Sequence, residues 1–268
     1  MRICDKHIWG SSIDFVFYSM STRKHSDEVK QTVLALYREG LEIKKICKLT
    51  GVHKDYPTQV AQEIGIGRGS GKVSEISPKL FELGTAASNY WIGYLVSDGN
   101  IYATTRNNRV SLASKDDEVR DKFLAYSNCN YFQQKFGMHV MHFGSKAIVA
   151  YLDTIGIRPK KSLNISLPSI IDSHLLRGIF DGDGSVHNKR PTCKITTGSE
   201  NLGNQIVLFL EQNDIFSKLR RRRNTNHFDV WVERRADFRK FYTLIYHNSH
   251  SAIQLDRKHT KFVASLSN

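Results

Sequence analysis

Trp91-Ile92-Gly93-Tyr94-Leu95-Val96-Ser97-Asp98-Gly99 and Leu176-Arg177-Gly178-Ile179-Phe180-Asp181-Gly182-Asp183-Gly184 are two versions of one pattern. Each is an apolar, helix-like run with small residues four apart: Gly93 and Ser97 in the first, Gly178 and Gly182 in the second. Each closes on Asp-Gly. A lone Asp-Gly is a turn signal. Two in one chain imply a two-fold site built from two equivalent carboxylates.

The correspondence extends beyond the motif. Asp183 lies 85 residues after Asp98, and at that offset Ile101 falls on Val186, Val110 on Ile195, Ser111 on Thr196, Ser114 on Ser199 and Phe123 on Leu208. Further on, Lys146-Ala147 falls on Arg235-Ala236 at an offset of 89. The second copy is therefore about four residues longer, and the extra length is expected around Arg220-Arg221-Arg222-Arg223-Asn224. A repeated apolar pattern with a drifting surface marks a duplicated fold unit. Each copy reads as helix, two strands, helix, two strands, helix. In copy one these fall at 86–97, 100–105, 109–114, 116–127, 131–136, 138–143 and 145–155. In copy two they fall at 172–182, 185–188, 193–198, 199–212, 215–222, 227–232 and 234–246. Turn-forming residues separate the strands at Arg106-Asn107-Asn108, Gly137, Lys189-Arg190-Pro191 and Asn224-Thr225-Asn226.

Composition fits a folded protein with a polyanionic partner. Apolar residues make up 40% of the 268, enough for proper cores. Lys and Arg outnumber Asp and Glu by 39 to 26, leaving a net charge of +13. Such a surface suits nucleic acid or an acidic membrane face. Cys4, Cys47, Cys129 and Cys193 are scattered without a CxxC, which argues against a zinc site or a disulfide framework and fits a reducing, intracellular compartment. No apolar stretch approaches the roughly 20 residues that span a bilayer. Asp14 interrupts the apolar run near the N-terminus, so residues 1–19 read as a tail rather than a signal peptide.

Ahead of the repeats, Ser26-Asp27-Glu28 opens a helix carrying Val29, Val33, Leu36 and Tyr37 that stops at Gly40. A short helix over 42–49, a turn at Gly51-Val52 and a third segment over 54–64 follow. This order resembles the helix-turn-helix of DNA-binding domains, with Lys54, Tyr56, Thr58 and Gln59 in the position of recognition residues. Pro57 departs from the pattern and predicts a late or irregular start to the third helix. Gly65 to Lys72, with four glycines, reads as a flexible basic linker; it lacks the ending of a phosphate-binding loop. The expected divisions are a tail at 1–25, a helix-turn-helix-like unit at 26–65, a linker at 66–79, and repeats at 80–170 and 171–268.

The motif residues carry a specific chemistry. Small residues four apart leave a low ridge on each helix, so the two backbones can approach closely. Asp98 and Asp183 then sit side by side at two helix C-termini, facing the negative ends of both dipoles and each other. A divalent cation would relieve that repulsion. Two carboxylates with backbone carbonyls, those of Ser97 and Gly182, supply hard oxygen ligands suited to Mg²⁺ or Mn²⁺. Metals held there suit phosphodiester hydrolysis.

Both motifs resemble the LAGLIDADG motif of homing endonucleases, and two in one chain resemble the single-chain, pseudo-symmetric branch. Gly93, Asp98 and Gly99 match its third, eighth and ninth positions, as do Gly178, Asp183 and Gly184. Asp181 fills the sixth position in copy two, where copy one has Val96. The resemblance implies an α+β fold with two pseudo-symmetric αββαββα repeats forming an antiparallel DNA-binding saddle, preceded here by the small all-α unit. It implies a monomeric, metal-dependent endonuclease acting on a long double-stranded DNA site. It also implies a basic residue near each metal, after the last helix of each repeat; Lys161 and Lys258 are the candidates. On the saddle, Tyr102, Thr104, Arg106, Arg109 and Ser111 in copy one, and His187, Lys189, Lys194 and Thr196 in copy two, would reach base edges. Arg220, Arg221, Arg222 and Arg223 would clamp phosphate. The alternative is a non-cleaving binder on the same fold, an intron maturase or transcription regulator; the presence of both acids favours cleavage. An intein reading is disfavoured because Ser267, not His, precedes Asn268.

Overall fold

The computed structural model describes residues 25–39, 41–64, 76–104, 108–129, 132–135, 137–160, 163, 165–167, 172–187 and 190–267. The tail at 1–24, the linker at 65–75, Gly40, Arg106, Lys161 and Lys189 lie outside them. Three N-terminal helices, α1 (Asp27–Arg38), α2 (Ile43–Thr50) and α3 (Tyr56–Glu63), bury Val33, Leu34, Tyr37, Ile46, Val52, Val60 and Ala61 in a core of their own. The Ser26 hydroxyl accepts from the Val29 amide at the start of α1. Gly51 closes α2 in the left-handed region, at φ 69°. α3 begins at Tyr56, so Lys54 stands in the turn before it rather than on the helix. Pro57 is buried in the first turn of α3, where its missing N–H has no intrahelical acceptor to lose.

The first repeat comprises α4 (Ala86–Asp98), β1 (Gly99–Ala103), β2 (Asn108–Ser114), α5 (Asp117–Ser127), β3 (Phe132–Lys135), β4 (Met138–Gly144) and α6 (Lys146–Thr154). The second comprises α7 (Ser173–Asp183), β5 (Gly184–Val186), β6 (Cys193–Thr197), α8 (Glu200–Gln212), β7 (Lys218–Arg221), β8 (Phe228–Val232) and α9 (Arg235–Tyr246). Each repeat folds its strands into an antiparallel four-stranded sheet, in the order β1-β2-β4-β3 and β5-β6-β8-β7. The fold is thus α+β with two sheets of matching topology, as the duplicated pattern predicts.

The register refines the repeat alignment. Val110 pairs with Phe143, 33 residues on, and its counterpart Ile195 pairs with Val230, 35 residues on. Two of the four extra residues therefore fall between β6 and β8 in the second copy. The other two fall between β8 and α9, not around the arginine run where sequence comparison puts them.

Alternation on the strands places one set of side chains under the helices. Val110 and Leu112 of β2, Met141 and Phe143 of β4, Cys193 and Ile195 of β6, and Val230 and Val232 of β8 are buried. They join one continuous core that includes Phe81, Trp91 and Phe123 on the first side and Phe180, Phe238, Phe241 and Phe262 on the second. A 3₁₀ turn at Pro78–Phe81 covers the first repeat. A second at Ser251–Ile253 leads into a C-terminal helix, α10 (Asp256–Leu266), which the sequence reading lacks. No helix among the described residues is long and apolar enough to cross a membrane.

Candidate functional site

α4 and α7 meet at their small residues. A Cβ on Gly178 would stand 2.0 Å from the Tyr90 carbonyl oxygen, and one on Gly93 would stand 2.1 Å from that of Leu175. At Gly182 a Cβ would fall 2.4 Å from Ser97 Cβ. At Gly93 and Gly178 the backbones touch, and only glycine fits there. Ser97 Oγ donates to the Ile179 carbonyl at 3.1 Å across the same seam. At the other end of the pair, Asn89 donates to Asp172, whose second oxygen accepts from the Leu175 amide as the N-cap of α7.

This packing delivers both aspartates to one place. α4 ends at Asp98 and α7 at Asp183, each followed by the glycine that opens a strand, and both acids are exposed. The Cβ position of Gly182 lies 3.5 Å from Asp98 Oδ2, so the Asp98 carboxylate reaches the last turn of α7, one residue from Asp183. Among the described residues, no group of three or more His, Cys, Asp or Glu side chains gathers to hold a metal. A cation here would rest on two carboxylates and on backbone carbonyls. That oxygen-only donor set fits Mg²⁺ or Mn²⁺ and does not fit zinc.

Lys258 stands against this corner, after α9, the last helix of its repeat, and inside the first turn of α10. Its Nζ donates to the carbonyls of Phe180 at 2.7 Å, Gly184 at 2.8 Å and Gly182 at 3.3 Å. Three donors meet three acceptors, so the ammonium caps the C-terminal end of α7 and brings positive charge to Asp181, Asp98 and Asp183 together. Burial pulls its pKa down to about 8 against the opposing pull of these acids. The Gly182 carbonyl, one of the expected metal ligands, is thus already engaged by a cation.

Two buried charges escape a reading by motif. Arg177, fully buried, donates to the carbonyls of Ile253 and Ile245, both at 2.6 Å, and its Nη2 lies 2.8 Å from His174 Nδ1. Asp181, also fully buried, accepts from Tyr90 Oη at 3.0 Å and from the Leu255 amide at 2.8 Å. Burial lifts its pKa to about 6, opposed by Lys258 and by these hydrogen bonds. Together they fix the segment that leads into α10, and hence Lys258. The sequence signal was the acid at the sixth motif position, present in one copy only.

The sheet faces opposite the helices carry the remaining candidates. On the first, Tyr102 pairs with Arg109, whose guanidinium lies 5.6 Å over the tyrosine ring, and Ser111 pairs with His142. His142 belongs to this face by register, though the sequence reading stopped at the first hairpin. Burial, helped by Arg109, lowers its pKa. Thr104 is exposed just past β1. On the second face, Lys194 and Thr196 surround Asp229 with Arg222, and Lys194 lies 5.0 Å over the Trp231 ring. A hollow of about 510 Å³ opens beside Trp231 between His187, Lys194 and Lys261. The arginine run does not act as a block. Arg220 pairs with Glu233, Arg222 with Asp229, and Arg223 lies in the turn. Alternation sends Arg221 to the opposite face with Leu219.

Comparison with known proteins agrees with this architecture. Residues 171–246 match the model of the LAGLIDADG-like domain. The fold matches mesophilic variants of the homing endonuclease I-DmoI, with a TM-score of 0.50 and 14% identity over 65% of this chain and 96% of that one. It also matches the homing endonuclease I-WcaI bound to its DNA recognition sequence, with a TM-score of 0.53 and 12% identity over 75% of this chain and 96% of that one. Over 153 residues, 53% of its length, the chain is 25% identical to the replication factor C small subunit of Methanocaldococcus jannaschii, of which it spans 8%. Residues 171–246 are thus similar to a LAGLIDADG-like domain, and the two-repeat body has the fold of LAGLIDADG homing endonucleases.

Proposed function

We propose that this protein is a site-specific, metal-dependent DNA endonuclease that hydrolyses phosphodiester bonds of a long double-stranded site and works as a monomer. The observation that carries the reading is the arrival of Asp98 and Asp183 at matching helix ends, both exposed, with the Asp98 carboxylate reaching the residue before Asp183 across a seam of small residues. Such like charges at the negative ends of two dipoles destabilise a fold that has no use for them. With duplex across both sheets, the scissile phosphates would lie over that seam.

In this reading Asp98 and Asp183 would hold divalent cations, with the Ser97 carbonyl as a further oxygen ligand and the Gly182 carbonyl shared with Lys258. Bound Mg²⁺ supplies an activated water and neutralises the leaving oxygen. The chain's own part is positional. The glycine seam sets the separation of the two acids, and Lys258 braces the α7–β5 corner while adding positive charge where a phosphorane's charge develops. Lys161 is proposed for the equivalent place in the first repeat. Arg109, Tyr102, Ser111 and Thr104 on one sheet, and Lys194, Thr196 and His187 on the other, are proposed to read bases, with Arg106 and Lys189 beside them. Arg220 and Arg223 are proposed for phosphates. The three N-terminal helices extend the footprint through Tyr56, Thr58 and Gln59, with Lys54 in the preceding turn.

The test is selection from a random duplex library by the full chain, with and without Mg²⁺. The reading expects one enriched site of roughly pseudo-palindromic form, cut only when the metal is present. A site that is enriched but never cut under Mg²⁺ or Mn²⁺ favours the non-cleaving binder.

A further inference from the structure

An acid stands where a DNA-binding surface should have none. Asp229 of β8 lies on the sheet face turned away from the helices, opposite Thr196 in the ladder, yet it is only 5% exposed. Cations and a hydroxyl bury it. Its carboxylate accepts from Lys194 Nζ at 3.0 Å, Thr196 Oγ1 at 2.7 Å and Arg222 Nε at 2.8 Å, while Arg222 Nη2 donates to Thr196 at 3.1 Å. Trp231 braces the group, with Lys194 over its ring at 5.0 Å and Arg220 at 5.9 Å.

The first repeat is built differently at the same place. Ser111, the counterpart of Thr196, pairs in its ladder with His142. One half of the molecule thus presents a histidine, and the other a carboxylate that ties down two basic side chains. A long basic side chain left to itself settles on phosphate, which carries no sequence information. Held by a fixed carboxylate, it keeps one direction and presents its remaining donors as a pattern. Lys194 spends one of three donors on Asp229. Arg222 spends its Nε there and Nη2 on Thr196, with 40% of its side chain still exposed.

We propose that Asp229 is a specificity-determining residue. It orients Lys194 and Arg222 toward base edges in the major groove, where two fixed donors match the paired acceptors of guanine. The inference rests on the DNA-binding reading above and assigns the chemistry of one half-site. It also predicts a trade: the acid lowers overall attraction to DNA and raises discrimination.

The test uses the full chain, with Asp229→Asn and, separately, Arg222→Gln, each checked by thermal melting. Wild type and variants select from the same random duplex library, and each is titrated against an unrelated duplex over a range of salt. Wild type should enrich guanine at adjacent positions in the half bound by the second repeat. Asp229→Asn should lose that preference, keep the other half-site, and bind the unrelated duplex several-fold tighter with a salt slope steeper by about one. Arg222→Gln should lose the same positions, which keeps the test alive if Asp229→Asn does not fold. Variants that retain the guanine preference, or lose affinity uniformly across the site, would overturn the proposal. A wild type that enriches nothing would instead overturn the DNA-binding reading itself.

Discussion

Gly93 and Gly178 face backbone rather than side chains, so neither α4 nor α7 can yield to an added methyl by a rotamer change. Gly178→Ala should lower stability by about 3 kcal/mol or more, the upper end of overpacking. Thermal unfolding would show it as a lower melting temperature, and an unchanged value would mean that the helices do not cross there. Asp229 makes a second prediction at this scale. Burial pushes its carboxyl up, but hydrogen bonds from Arg222, Thr196 and Lys194 outweigh that and hold it below the ordinary 3.8. A depressed carboxyl contributes stability fully above the unfolded value and loses it as pH falls through the folded one. The stability advantage of wild type over Asp229→Asn should therefore shrink below about pH 4. An advantage that grows on acidification would contradict the assignment. The motif aspartates were legible because the repeat marks them. Asp229 and His142 were not, since their roles arise from strand register, and register is set by tertiary pairing.

The elements most visible in the sequence are those whose apolar period agrees with their burial. β4 alternates buried and half-buried residues along its length, and α1 starts at a serine cap. α10 is the opposite case. Its buried face holds Lys258, Phe262 and Ser265, so two of three inward positions are polar and no apolar stripe announces a helix. Tertiary hydrogen bonds supply what the pattern lacks. Glu118 of α5 accepts from the Asp256 amide at 2.6 Å, and Asp181 accepts from that of Leu255, so one carboxylate from each repeat caps this helix. Lys258→Met keeps the apolar stem but removes the ammonium that three carbonyls share at the end of α7. It should cost about 1–3 kcal/mol, read by denaturant unfolding. A variant as stable as wild type would show that Lys258 does not brace the α7–β5 corner.

Across the whole molecule, duplication made the architecture readable: two motif helices, two sheets and the pairing of their acids follow from one repeated pattern. The asymmetries did not follow from it, because Arg177 and Asp181 fall on Ile92 and Val96 of the first copy, and no counterpart of the C-terminal helix stands among the described residues. The N-terminal helices have their own core. A fragment beginning near Ser74 should therefore fold, bind more weakly and protect a shorter footprint on one side. Retention of the full footprint would make that unit architectural only. The most direct test of the central claim is double-strand cleavage of the selected site in Mg²⁺ by wild type, Asp98→Asn and Asp183→Asn, with binding measured in parallel. The two-carboxylate account predicts that both variants bind nearly as well as wild type and fail to cut both strands. Cleavage at the wild-type rate by both variants would contradict it.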